Sequence, residues 1–216
     1  MKPVILTDID GVLIQWQSGL PYFAAKHNLN VARTLELLYE DKFVSPAELF
    51  GCNDELAAKL LMKYNNSDFI KYLSPYQDAV QVINRLKDRF DFVAITALGN
   101  TDDALMNRMF NLNALFPGAF RDVMLVNYGE SKTPHYMSAK IKYKDNLVCF
   151  VDDLAHNLED CHAVISRLPL VHMLRGERSI AGCPVITTTN WYELEPVVLE
   201  MADKLIEHNS SQLSLL

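Results

Sequence analysis

Two aspartates one residue apart near the N-terminus are the strongest chemical feature of the sequence. Asp8 and Asp10 follow the apolar run at residues 4–6, and Gly11 comes directly after them. A short apolar run without helical period predicts a strand buried on both faces of a parallel sheet. Ligands of open parallel sheets bind beyond the carboxyl ends of the strands. Paired carboxylates there predict a Mg²⁺ site in which one of them also acts as a nucleophile, although turn residues at a strand end show the same pattern.

Polar side chains also follow three later runs that predict strands. Thr96 ends the apolar run 92–95, and its hydroxyl is suited to hold an oxygen of a phosphoryl group. Lys132 lies in a loop just before a proline-started helix, where it can offset negative charge. Asp152 and Asp153 follow a fully apolar run and can complete a Mg²⁺ site.

Each of these residues also has a structural interpretation. Thr96 fits a β-branched strand residue, and Lys132 fits a solvated surface lysine. Asp153 fits the N-cap of the helix that follows it. The functional interpretation therefore depends on all of the strand ends occurring together in one sheet.

The elements that must position these residues alternate between strands and helices. This rhythm predicts an α/β, Rossmann-like, doubly wound parallel sheet with helices on both faces. Residues 15–74 show helical patterns and no strand, so we expect a small helical cap inserted after the first strand, above the strand ends. The catalytic core is then 1–14 and 75–208, with a flexible polar tail at 209–216. Core strands are predicted at 4–7, 92–96, 122–126, 147–152, 170–174 and 185–187.

Helix start signals divide the helical regions. Ser45 with Pro46 and Ser74 with Pro75 each begin a capping-box pattern, which predicts a helix start at both places. Thr101 is predicted to cap the helix that follows the Thr96 strand.

Composition excludes several classes of protein. Half of the 216 residues are hydrophobic and the formal net charge is −7, which disfavours a nonspecific nucleic-acid binder. The four scattered cysteines show no metal-binding spacing, so we expect reduced thiols and a cytoplasmic protein. No apolar segment is long enough to cross a membrane.

Four motifs together resemble those of the haloacid dehalogenase superfamily, in the same order. They are DIDGVL with Asp8 and Asp10, AITALGN with Thr96, SKTPHY with Lys132, and FVDDLAHN with Asp152 and Asp153. The resemblance covers essentially the whole predicted core and accounts for the helical insert as the superfamily's cap.

The resemblance implies a Mg²⁺-dependent phosphatase. Asp8 would attack phosphorus and form an aspartyl-phosphate, while Asp10 would serve as general acid and base. Thr96 and Lys132 would hold and neutralise the phosphoryl group. The metal residues implied are Asp8, Asp10 through its backbone carbonyl, Asp152 and Asp153. Because a departing halide needs no proton, Asp10 favours a phosphatase or phosphomutase over a dehalogenase.

The substrate is less well defined by the sequence. The DIDGVL motif, the aromatic residues after it and the small cap look similar to 5'(3')-deoxyribonucleotidases. This favours a small nucleotide-like phosphomonoester, with contacts from Trp16, Ala97 and Asn100. Trp16 also fits a role in packing the cap, and Asn100 also fits a helix cap.

Other functions stay open at this point. A sugar-phosphate phosphatase, a phosphomutase and a polynucleotide-end phosphatase are alternatives, although no basic run supports the last or any stable nucleic-acid complex. An inactive protein that binds a phosphorylated ligand or a partner is the alternative outside enzymes. The expected partner is a small phosphorylated substrate, and the sequence does not define the oligomeric state.

Overall fold

The computed structural model describes residues 2–40 and 44–213. Within these residues, six parallel strands form one sheet in the order β3-β2-β1-β4-β5-β6. They are β1 (Val4–Thr7), β2 (Asp91–Ala97), β3 (Phe120–Val126), β4 (Leu147–Asp152), β5 (Leu170–Met173) and β6 (Ile186–Thr188). The sheet confirms the predicted α/β, Rossmann-like architecture.

The two central strands explain why their sequences are almost continuously apolar. Every residue of β1 and β4 is buried, because helices cover both faces of the sheet. One face packs beneath α5 (Gln77–Leu86), α6 (Asp102–Leu115) and α9 (Trp191–Leu213). The other packs beneath α7 (Thr133–Tyr143) and α8 (Ala155–Val164).

The segment between β1 and α5 is helical, as predicted. It comprises α1 (Leu20–Lys26), α2 (Val31–Glu40), α3 (Pro46–Phe50) and α4 (Asp54–Asn65), with short 3₁₀ helices at Trp16–Gly19 and Asp68–Tyr72. We call residues 15–74 the cap. Its two ends lie side by side, since the Gln15 N–H donates to the Ser74 carbonyl at 2.8 Å and the Tyr76 N–H to the Leu13 carbonyl at 2.9 Å.

Two predicted helix starts are confirmed and one is wrong. The Ser45 hydroxyl accepts from the Glu48 N–H at 3.2 Å, and Thr101 accepts from the Ala104 N–H at 3.1 Å. The second capping box does not form, because Pro75 lies in a short bridge opposite Ile14 and α5 begins only at Gln77. The N-cap of α5 has no side-chain hydrogen bond.

The C-terminal segment is helical as far as the structure describes it, and residues 214–216 of the predicted tail lie outside the described residues. Residues 209–213, predicted to belong to a flexible tail, continue α9. The Asn209 side chain donates to the Asp145 carbonyl at 3.0 Å, and the hydroxyls of Ser210 and Ser211 donate to carbonyls one turn earlier. The bond from Asn209 joins this end of α9 to the residues just before β4. Among the described residues, no helix combines the length and the apolarity that crossing a membrane requires.

Candidate active site

The sheet order brings three of the predicted site residues to one edge. Strand β1 lies between β2 and β4, so Asp8, which follows β1, has Thr96 on one side and Asp152 on the other. The Asp8 N–H donates to the Val151 carbonyl at 2.8 Å, which holds the end of β1 against β4. Gly11 turns the chain away with φ +78°, a conformation that favours glycine.

Lys132 joins two of the carboxylates. It precedes α7 and its side chain is only 1% exposed. Its Nζ lies 3.0 Å from Asp8 Oδ2 and 2.8 Å from Asp152 Oδ2. The predicted role of a cation beside Asp8 therefore has the required geometry, and the surface-lysine interpretation is wrong.

Asp152 is fully buried and its oxygens accept several further hydrogen bonds. The Asn157 amide donates to both oxygens at 3.0 and 3.1 Å, and the Leu154 N–H donates to Oδ1 at 2.9 Å. Asp153, by contrast, is not the N-cap of α8, whose N-cap is Leu154. It is Asp152, and not Asp153, that binds the Leu154 N–H.

Three buried carboxylates lie close enough together to share a metal ion. Oxygen atoms of Asp8, Asp152 and Asp153 all lie within 4.8 Å of one another. All three side chains offer carboxylate oxygens. Such a set suits Mg²⁺, which prefers oxygen ligands and retains waters. Gly11 makes room for this cluster, because a Cβ built on it would overlap the carboxylate of Asp153. The residues present thus fit the predicted Mg²⁺.

The cluster shifts the pKa values of its members. Burial raises the pKa of Asp8 to about 8, against the attraction of Lys132 and with the repulsion of Asp152 and Asp153. Burial also raises the pKa of Asp153 to about 6, aided by Asp152 and opposed by Arg178. Burial alone would lower the pKa of Lys132, but Asp152 and Asp8 outweigh it and raise that pKa. A cation would favour the charged carboxylates and relieve their mutual repulsion.

Asp10 stands apart from the three-carboxylate cluster. Its carboxylate is held by Arg108 of α6, whose Nη2 lies 2.7 Å from Oδ1 and 2.6 Å from Oδ2. Burial raises the pKa of Asp10, and the attraction of Arg108 opposes that rise. The side chain of Asp10 is 19% exposed and lines the cavity above the strand ends.

Thr96 carries a hydroxyl that has nothing to bind within the protein. The residue is fully buried, lines the same cavity, and its Oγ1 has no hydrogen-bond partner. An unpaired buried hydroxyl costs free energy, so its place beside Asp8 is better explained by a ligand atom than by packing.

The cavity at this edge has a volume of about 490 Å³ and two unlike sides. Its floor is polar and comes from the strand ends, with Asp8, Asp10, Thr96 and Asp153. The cap contributes a largely apolar roof, formed by Trp16, Val44, Pro46, Leu49 and Leu61.

The predicted substrate contacts divide into two groups. Trp16 and Ala97 line the cavity, and the Trp16 Nε1–H also donates to Asn65 Oδ1 at 3.0 Å. Trp16 packs edge-on against Tyr64, so it also contributes to cap packing as its alternative interpretation required. Asn100 is exposed, does not line the cavity and does not cap α6, because Thr101 takes that place.

Two buried arginines at the site were not identified from the sequence. Arg108 lies within α6, where a helical arginine is ordinarily solvated. Arg178 comes from the loop after β5 and its Nε donates to Asp153 Oδ2 at 2.8 Å. Arg108 and Asn111 lie three positions apart on one helix face and both are buried, but polar residues at this spacing also occur on solvated helix faces.

Comparison with known proteins places this geometry in a wider context. No protein-family model matches the chain. Over 195 residues it is 51% identical to an uncharacterized 32.4 kDa protein from the Gp30-rIII intergenic region of Enterobacteria phage T4. The match covers 90% of this chain and 69% of the phage protein.

Three solved structures illustrate the fold. A putative haloacid dehalogenase-type hydrolase from Bacillus subtilis, bound to magnesium, matches with TM-score 0.62 and 15% identity, over 91% of this chain and 98% of that one. L-2-haloacid dehalogenase from Xanthobacter autotrophicus matches with TM-score 0.61 and 13% identity, over 94% and 100%. A putative phosphoglycolate phosphatase from Lactobacillus delbrueckii matches with TM-score 0.58 and 16% identity, over 92% and 99%.

Proposed function

The chain belongs to the same family as the phage T4 protein and has the haloacid dehalogenase fold, and we propose that it is a Mg²⁺-dependent phosphomonoester hydrolase. The fold is that of hydrolases, and its solved examples include both dehalogenases and phosphatases. The choice between the two activities therefore depends on the residues of this site.

The observation that carries the proposal is the buried cluster around Asp8. Asp8 lies within 4.8 Å of two further carboxylates and 3.0 Å from Lys132 Nζ. A phosphomonoester brings up to two negative charges, which a divalent cation and a lysine can balance beside the nucleophile. A neutral carbon–halogen bond needs no such arrangement, and a departing halide needs no acid in the position of Asp10.

The reaction we propose has two displacements at phosphorus. An Asp8 oxygen forms a bond to phosphorus as the bond to the leaving oxygen breaks, and Asp10 gives its proton to that oxygen. Asp10 then takes a proton from water, whose oxygen attacks phosphorus and releases Asp8 with inorganic phosphate. Bound by Asp8, Asp152 and Asp153, Mg²⁺ would supply positive charge that polarises the phosphoryl group.

Two other side chains stabilise the transferring group. Lys132 places a positive charge beside Asp8 through both steps. Thr96 Oγ1, which has no partner in the protein, is free to donate to a phosphoryl oxygen. Thr96 lies at the end of β2 and Lys132 directly precedes α7, so the two groups come from different elements.

We further propose that the substrate is small and nucleotide-like. A cavity of about 490 Å³ with a polar floor and an apolar roof suits a phosphate joined to a flat, weakly polar group, and Trp16 forms part of that roof. A sugar phosphate is the second candidate, as substrate of a phosphatase or a phosphomutase. The net charge of −7 gives no support to a polynucleotide end.

Phosphate release tests the proposal. We would assay a nitroaryl phosphate, nucleotides and sugar phosphates with Mg²⁺ and with chelator, alongside halide release from a 2-haloacid. We expect phosphate release that chelator abolishes and that Asp8→Asn lowers by at least about 10⁴-fold. Asp54→Asn, a change at an exposed aspartate of the cap, serves as the matched control.

Each other outcome points to a defined alternative. Halide release without phosphate release would identify a dehalogenase. No release of either product would favour the inactive protein that binds a phosphorylated ligand, which equilibrium binding of the same panel would then detect.

A further inference from the structure

We propose that Arg108 is a positioning residue that orients the Asp10 carboxylate toward the leaving oxygen. It also fixes that orientation relative to the cap. The inference rests on the proposed phosphatase activity and extends it to a residue outside the four motifs. It assigns Arg108 no contact with substrate, because Arg108 is fully buried and does not line the cavity.

The contact itself restricts the carboxylate. Nη2 of Arg108 is nearly equidistant from the two oxygens of Asp10, at 2.7 and 2.6 Å. Both contacts are charge-assisted, and together they restrict the rotamer of the Asp10 side chain. It occupies the side of Asp10 that faces α6, while the same side chain lines the cavity.

The helix face that carries Arg108 also binds the cap. Asn107 and Asn111 lie on either side of Arg108, and both are buried. The Asn107 amide donates to the Ser67 carbonyl at 3.1 Å, and the Asn111 amide donates to the Leu73 carbonyl at 3.1 Å. One turn of α6 therefore holds both the C-terminal part of the cap and the carboxylate of Asp10. The position of the cap and the orientation of the Asp10 carboxylate are therefore linked through one helical turn of α6.

The burial of Arg108 lowers the stability of the fold. Its Nε and Nη1 are buried and have no hydrogen-bond partner, so three N–H groups are unpaired. Unpaired buried donors are destabilising, and a residue chosen only for stability would avoid them. The single nitrogen that is paired binds Asp10, which points to the orientation of that carboxylate as the role of Arg108.

A comparison of leaving groups tests the proposal. Expulsion of an alkoxide needs a correctly placed acid, whereas expulsion of a nitrophenolate does not. We expect Arg108→Met to lower kcat/KM for an alkyl phosphate by about 10²-fold or more and for a nitroaryl phosphate by less than about 10-fold. Asp10→Asn should show the same preference, and the double variant should lose no more than Asp10→Asn alone on the alkyl phosphate.

The ratio of the two activities makes the test independent of folding. A partly unfolded variant loses both activities equally, so the ratio still reports the positioning of Asp10. Arg108→Lys keeps the charge and should recover part of the ratio, which gives a second variant if Arg108→Met does not fold. Arg85→Met, a change at a half-exposed arginine that binds Glu195, is the matched control and should leave the ratio unchanged.

The outcomes separate the two proposals. An equal loss on both substrates, additive losses in the double variant, or wild-type turnover confined to nitroaryl phosphates would overturn the role of Arg108 and leave the phosphatase in place. Absence of any wild-type phosphate release would overturn the phosphatase proposal and this inference with it.

Discussion

Lys132 and Arg108, two of the three buried cations of the site, are equally buried but differently paired. Lys132 binds Asp8 and Asp152, and the oxygens of Asp152 accept further bonds from Asn157 and Leu154. Arg108 binds Asp10 through one nitrogen and leaves its other two without a partner. Within the described residues, the Lys132 side is a connected network and the Arg108 side is a single contact.

This difference indicates two different roles. A charge within a connected network holds the framework of the site together, because removing it leaves its partners buried and unpaired. A charge with unpaired donors weakens the fold that contains it, so its presence is better explained by function. Substitutions of Lys132 and of Arg108 should therefore differ in their effect on the free energy of unfolding.

Lys132→Met should destabilise the protein most. Asp8 and Asp152 would lose their shared cation while remaining buried, at a cost of about 3–5 kcal/mol in the free energy of unfolding. Chemical denaturation without added Mg²⁺ measures this cost. Lys142→Met, at an exposed lysine that binds Asp122, is the control and should cost less than about 1 kcal/mol. Equal losses in the two variants would show that the network contributes no special stability.

Arg108→Met should cost less than half as much as Lys132→Met. The change unpairs Asp10, but that side chain is 19% exposed and water can reach it. The change also removes the three unpaired N–H groups of Arg108, a gain that offsets part of the loss. The same denaturation experiment measures it. If Arg108→Met lowers the free energy of unfolding as much as Lys132→Met does, the two cations do not differ in their contribution to stability.

Stability without Mg²⁺ should fall as the pH rises from about 5 to about 8. The folded-state pKa values of Asp8 and Asp153, about 8 and about 6, lie above the ordinary value of 3.8. The folded protein therefore holds more protons than the unfolded chain in this range, and its stabilisation is lost as the pH passes through the raised values. We expect a decrease in Tm on the order of 5 °C.

Added Mg²⁺ and the variant Asp8→Asn provide two further tests of this pH dependence. Because the ion binds ionised carboxylates, it should raise Tm more at pH 8 than at pH 5. Asp8→Asn should flatten the pH dependence, while Asp54→Asn should leave it unchanged. A Tm that rises with pH in the absence of Mg²⁺ would contradict the assigned direction of the pKa shifts.

Thr96→Val should change stability least. The hydroxyl it removes is buried and unpaired, so its replacement by a methyl group of similar size should alter the free energy of unfolding by no more than about 1 kcal/mol. Phosphatase activity should fall by about 10²-fold, and Thr96→Ser should restore most of it. A large loss of stability with unchanged activity would give Thr96 a structural role only.

Much of the fold and of the site floor could be predicted because both are encoded locally. Asp8, Thr96 and Asp152 follow apolar runs, and parallel strands place their carboxyl ends at one edge wherever they lie in the sheet. The turn after β1 could also be predicted, because Gly11 marks it in the sequence and adopts a φ of +78°, which glycine favours.

The residues that sequence reasoning missed depend on contacts between distant elements. Arg108 meets Asp10 across 98 positions, and no local pattern marks a helical arginine as buried. Asn100 lies three residues beyond the end of β2 and is exposed, and no local pattern specifies which side chains of this loop line the cavity.

Asp8 should carry the phosphoryl group during turnover, and trapping of the phosphorylated intermediate would detect it. In Asp10→Asn, a radiolabelled nitroaryl phosphate should still phosphorylate Asp8, because its leaving group needs no acid, while hydrolysis of the intermediate should be slow. Rapid acid quenching followed by peptide mapping should then find alkali-labile label on the peptide that contains Asp8, and none in Asp8→Asn or with chelator. Turnover by the unaltered protein with no label on that peptide would exclude Asp8 as the nucleophile.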